Sequence, residues 1–227
     1  MVPILVILTF VICLLIDWLL KRGVERETLH KGATLARSRR IALSSPCYIG
    51  GFQVQEEMAF HPGHAWALAE GADVVRVGVD DFAQKLIGKV DRLDLPEIGD
   101  EVVQGRQGWV LYREDRRVPM LSPMSGQVVE VNPLVREDGS AVETDPYGEG
   151  WLFVVRTPDL RANLSNLLSG NLVARWLEEV SARLRVWLTG GLSLSFPDGG
   201  TAVEDLSAVV DETTWKEMIR EFLLTDP

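Results

Sequence analysis

Few side chains in this sequence could do chemistry, and they are unevenly placed. His61 and His64 stand three apart in His-Pro-Gly-His, with Trp66 following. As metal ligands they would need further donors. The two cysteines supply none, since Cys13 lies in an apolar run and Cys47 follows Pro46. Packing or a hydrogen bond is the expected role at His64. Asp80, Asp81, Glu97, Asp100 and Glu101 are enough carboxylates for acid–base work, but that work needs a paired geometry that spacing does not establish, so a solvated acidic face is expected. The run Arg113-Glu114-Asp115-Arg116-Arg117 is fully charged, and Glu114, Asp115, Arg116 and Arg117 are the candidate contact tip for a protein partner. Lysine, whose amine can be acylated once deprotonated, occurs at 21, 31, 85, 89 and 216, none of them near that run. No phosphate-cradling glycine loop and no Gly-x-Ser-x-Gly elbow occurs, so an enzyme is not expected.

The elements that must position these residues are mostly strands and turns from Phe52 to about Val155. Val74–Val79 is β-branched with partial alternation, as a half-buried strand requires. Asp80-Asp81 then offers an N-cap to a short helix, DDFAQKLIG, which Gly88 stops. Gly108–Tyr112 and Val118–Leu121 are apolar strands on either side of the charged run, so that run is the tip of a hairpin with its turn in water. Ser122-Pro123-Met124-Ser125-Gly126 is turn chemistry, and the strands Gln127–Val131 and Trp151–Val155 follow. Beyond Pro158 the period changes. Leu172, Trp176, Leu177, Val180, Leu184 and Trp187 recur at three- and four-residue spacing, which predicts an amphipathic helix over 171–188. A Gly/Ser/Pro/Asp-rich linker at 189–201 precedes a last short helix near 213–224, with Trp215, Ile219 and Phe222. Docking onto the β body is the first expectation for these stripes, ahead of a bilayer surface or a partner.

The ends of the chain differ in charge. Residues 1–20 are apolar but for Thr9 and Asp17, and ~20 residues at 1.5 Å each cross a ~30 Å hydrocarbon core. No basic leader precedes the run and no small-x-small site follows it, so an uncleaved transmembrane anchor is expected, in contact with membrane lipid. Residues 21–42 carry seven Lys or Arg against Glu25 and Glu27. By the positive-inside rule the body then faces the cytoplasm, at the inner membrane if the source is bacterial. Overall the chain has net charge −10, so the remainder is strongly acidic and nucleic acid is excluded as a partner.

The stretches FHPGHAWA (Phe60–Ala67), VGVDDFAQKLIGKVDRLDLPEIGDEV (Val77–Val102), SPMSGQVVEVN (Ser122–Asn132) and DPYGEGWLF (Asp145–Phe153) resemble, in order and spacing, the H protein of the glycine cleavage system, a lipoyl carrier. The resemblance spans about residues 52–160. It implies a mainly β fold, a lipoyl/biotinyl-type β barrel-sandwich hybrid with short helices at its edges. It also implies a carrier lysine at a hairpin tip, seven residues before the serine of SPxSG. In this chain that serine is Ser122 and the position is Asp115.

The expected organisation is a transmembrane anchor (1–20), a basic juxtamembrane segment (21–51), an H-protein-like lipoyl-type domain (52–160) and a helical C-terminal extension (161–227). The expected function is that of a membrane-tethered, non-catalytic interaction or scaffold subunit on the cytoplasmic face, with an unidentified protein partner and no lipoyl arm or other cofactor. Two alternatives stay open: a true glycine cleavage H protein moving an aminomethyl group on lipoyl-lysine, and an accessory subunit of a membrane redox or transport complex.

Overall fold

The computed structural model describes residues 47–191, 205–208 and 210–227. The expected anchor at 1–20 and the basic segment up to residue 46 lie outside the described residues. Among the described residues, no helix is long and apolar enough to cross a membrane.

Strands pair mostly with near neighbours. β1 (Cys47–Ile49) and β2 (Phe52–Val54) form a hairpin across Gly50-Gly51, so regular structure begins before Phe52. The largest sheet has six strands in the order β3 (Ala59–Phe60), β4 (Ala65–Ala69), β5 (Val74–Val79), β11 (Phe153–Arg156), β10 (Gly126–Val131), β7 (Glu101–Val102). The third sheet is β6 (Arg92–Asp94), β8 (Gln107–Arg113), β9 (Arg116–Leu121). The period-2 rule holds on β5: Val75, Val77 and Val79 are buried while Arg76 turns outward to an ion pair with Glu70 at 2.8 Å. Gly78 is required by close approach, since a Cβ there would run into the indole of Trp66. The two larger sheets share a core, where Trp109 of β8 meets Phe153 of β11 edge-on with ring centroids 5.4 Å apart. Neither sheet closes on itself. The mainly β architecture stands, but the barrel component of the expected hybrid gives way to open sheets with edges at β3, β7, β6 and β9.

Short helices fill the rims: α1 (Asp81–Ile87), α2 (Pro133–Glu137), α3 (Ser140–Thr144) and α4 (Leu160–Ser165). α1 starts and stops where the sequence says it should. The Asp80 carboxylate accepts the Ala83 N–H, and Gly88 ends the helix at φ 76°, a conformation glycine adopts cheaply. The long helix α5 (Asn171–Gly191) buries Val173, Leu177, Val180, Leu184 and Leu188. Of the expected stripe, Leu177, Val180 and Leu184 are buried, Trp176 and Trp187 are half-buried, and Leu172 is exposed, its place on the inner face taken by Val173.

The C-terminal extension docks on the β body. A 3-10 turn (Leu206–Ala208) leads to α6 (Glu212–Met218), which runs into a π turn (Ile219–Leu223) ended by Leu224 in the left-handed region. Leu206, Trp215, Met218, Ile219, Phe222 and Leu223 are all buried. Phe222 meets Phe82 of α1 at 5.3 Å, and the Trp187 indole donates to Glu221. These last elements form a strap across α1.

The strap is capped by Asp211, whose carboxylate accepts the N–H groups of Thr213 and Thr214. The Thr214 hydroxyl and N–H hold that carboxyl below its ordinary range. A carboxyl so lowered contributes stability above the ordinary carboxylate pKa, and that contribution is lost as pH falls through the folded value. Asp211→Asn keeps an acceptor but cannot titrate. Melting curves from about pH 5 down to about pH 3 should therefore converge for the two proteins; a gap that widens toward acid would contradict this.

Candidate functional site

The position where the resemblance expects a carrier lysine is at the turn of the β8–β9 hairpin. Arg113 pairs with Arg116 and Tyr112 with Arg117, leaving Glu114 and Asp115 as a two-residue turn. Glu114 sits at φ 50°, a conformation usually left to Gly, Asn or Asp in such turns. Its N–H is held by the Asp91 carboxylate at 2.8 Å. The base of the hairpin is locked by the SPMSG turn. The buried Ser122 hydroxyl donates to the Met124 carbonyl, Ser125 accepts the Gln104 N–H, and Gly126 lies so close to the Arg156 carbonyl that a Cβ would collide with it.

The four expected tip residues do not share one fate. Glu114, Asp115 and Arg117 are exposed, with Arg117 donating to Gln107. Arg116 turns back onto the strap, where its Nε lies 2.8 Å from the Glu212 carboxylate and its guanidinium stacks 4.8 Å from the Trp215 ring centroid. Arg113, outside the expected set, donates from Nη1 to Asp205 at 2.6 Å and to the Ile87 carbonyl at 3.0 Å. The hydrogen bond to Asp205 raises the Arg113 pKa further. Asp205, Glu212 and Trp215 are thus part of the tip's surroundings. The sequence marked Trp215 as apolar stripe and gave no sign of where the stripe would land.

A lipoyl group needs an amine to form its amide bond, and the residues of this tip do not fit one: Asp115 presents a carboxylate and Arg113, Arg116 and Arg117 present guanidinium groups. Lys85 is ion-paired with Asp81 at 2.7 Å and Lys216 with Glu212 at 3.3 Å. Lys89 is placed differently from what the sequence suggested. It is 73% exposed and lies 3.7 Å from the same Asp91 carboxylate that holds the Glu114 N–H, so the fold brings it beside the turn.

A second cluster lies under α1. His64 and Asp80 are fully buried, with His64 Nδ1 2.7 Å from Asp80 Oδ2; the imidazole stacks on Phe82 at 4.1 Å and faces Trp176 at 4.7 Å. His61 lies on the same loop, where its Nδ1 accepts the Gly63 N–H; burial, then the neighbouring His64, lower its pKa. Asp80 and Asp81 are not part of a solvated acidic face. Asp81 accepts the Gln53 N–H and Lys85, while burial pushes its carboxyl upward. Tyr147 donates to the Gln53 carbonyl and accepts the Asp81 N–H, and burial drives its pKa well up. Hydrogen bonds let these polar groups sit in the core, with the exception of His64 Nε2, which is buried without a partner. Trp66 joins the same region, donating to the Val79 and Pro146 carbonyls. The motifs FHPGHAW, DDFAQK and DPYG thus meet in one buried network that positions α1 beneath the hairpin. Among the described residues, no group of three or more His, Cys, Asp or Glu is arranged to hold a metal ion.

The comparisons agree with the motifs. The family model described as glycine cleavage H-protein matches residues 58–180, from the turn before β3 into α5. The glycine cleavage system H protein of Xanthomonas campestris pv. campestris is 35% identical over 127 residues, covering 56% of this chain and 96% of that protein. The one from Photorhabdus laumondii is 33% identical over 126 residues, with the same coverage. The crystal structure of the H protein from Mycobacterium marinum aligns with TM-score 0.49 and 26% identity, covering 56% of this chain and 98% of that one. With its motifs in register across more than half of its length, the chain belongs to the glycine cleavage H-protein family.

Proposed function

We propose that this chain is a membrane-tethered, non-catalytic member of the H-protein family that works as an interaction or scaffold subunit on the cytoplasmic face, without a lipoyl arm. One observation carries the reading: the hairpin tip has Asp115 where an acylatable amine is needed, and no lysine elsewhere in the hairpin. A carboxylate cannot form the amide, and a guanidinium stays protonated and delocalised. The engagement of Arg113 and Arg116 with the chain's own C-terminal strap is in keeping with a hairpin that does not carry an arm. The tether is supported by the apolar run at 1–20 and the basic residues after it. The exposed Glu114, Asp115 and Arg117, on an acidic body, are the side chains offered to a protein partner.

Similarity to curated glycine cleavage H proteins favours a second reading, a lipoyl carrier of that system, against which Asp115 weighs. Intact-mass measurement on protein from its own host, with lipoylation active, separates the two. The expected result is an unmodified chain, recovered with membranes after an alkaline wash. A lipoyl increment on any lysine, Lys89 included, overturns the armless reading, and recovery in the wash overturns the tether.

A further inference from the structure

A tip that carries an arm must be approached by the protein that attaches it. In this chain one flank of the tip is already taken. The residues on either side of the turn, Arg113 and Arg116, are both held by the strap, through Asp205 at 2.6 Å and Glu212 at 2.8 Å. Trp215 lies fully buried beneath Arg116, and Met218, Ile219, Phe222 and Leu223 continue the seal into the core. Asp91 ties the Glu114 N–H from the α1 side. Every one of the strap residues lies beyond residue 180, where the family match ends.

We propose that this clasp is a resident occupant of the tip's docking surface, closing it to a modifying enzyme, so that restoring the lysine alone does not restore lipoylation. This rests on the armless reading above and adds an obstacle separate from the missing amine. Arginine suits the task because its planar fork can bond a carboxylate and lie flat on an indole at once. The two ion pairs hold the guanidinium groups on both sides of the turn against the strap, on the flank an enzyme would have to cover. The surface that accepts the strap fits an acidic helix with an aromatic anchor, which is the chemistry of α6 itself.

The test uses the full chain, expressed with a lipoate–protein ligase and free lipoate, and read by intact mass and peptide mapping. Asp115→Lys supplies the amine. A second chain adds Asp205→Asn and Glu212→Gln, which remove the charges of the clasp, keep side-chain shape and leave the buried Trp215 in place so that the fold survives. The expected result is at least about tenfold more modification of the introduced lysine in the second chain than in the first. Equal modification of the two overturns the proposal, because the clasp then excludes nothing. Failure of both also overturns it, because the ligase is then rejecting the hairpin for another reason. Lipoylation of the unaltered chain would instead defeat the armless reading, so the two failures are told apart.

Discussion

Trp215→Ala is expected to lower the unfolding free energy by about 3–5 kcal/mol, the range for deleting a large buried aromatic. The indole is fully buried in the strap, with the Arg116 guanidinium stacked over it. Removing it leaves a cavity between the strap and β9 and takes away the surface that helps align Arg116 with Glu212. The loss should therefore be felt at the hairpin as well as globally. Amide exchange at residues 113–116 should quicken by more than the drop in overall stability explains. Trp215→Phe is the control: the indole Nε1 is buried without a hydrogen-bond partner, so an aromatic ring lacking that N–H should lose much less. Denaturant unfolding of the full chain in mild detergent, followed by far-ultraviolet dichroism, measures both. A change below about 1 kcal/mol for the alanine variant would mean that the strap is not part of the cooperative fold.

Asp80→Ala should cost about 2–4 kcal/mol, from a lost helix cap and a buried imidazole left without its partner. One oxygen of the carboxylate caps α1 through the Ala83 N–H at 2.8 Å, and the other meets His64 Nδ1 at 2.7 Å. His64 cannot turn to solvent for a replacement, because Phe82 and Trp176 flank its ring and its own backbone sits at φ 63°. Asp80→Asn keeps one acceptor oxygen for the cap but puts an NH2 donor in place of the oxygen that faces His64 Nδ1, so it should recover the cap's share of the loss and little more. Equal damage from the two variants would show that the contact with His64, rather than the helix cap, accounts for the loss.

The charged hairpin and the elements around it were legible without coordinates, because each rests on residues a few positions apart. The inward valines of β5, the Asp80 cap and Gly88 stop of α1 and the charged turn between apolar strands lie where the spacing puts them, as do Leu177, Val180 and Leu184 at the centre of the α5 stripe, while Leu172 at its start is exposed. The errors have a common cause. Asp80 and Asp81 looked like water-facing carboxylates because composition cannot tell a solvated acid from one that caps a helix and meets a buried histidine or lysine. Lys89 looked remote from the tip, since only the pairing of β6 with β8 brings the α1–β6 connection alongside the turn.

What the amino-acid order determined alone is therefore the local grammar: strand and helix periods, caps and stops, and the identity of the side chain at the turn. Tertiary structure decided that the sheets stay open, and which far-off residues close on that turn. Arg113 and Asp205 are 92 positions apart, and Tyr147 and Gln53 are 94. Contacts across such distances leave no periodic mark, since they depend on where whole elements pack to bury apolar surface.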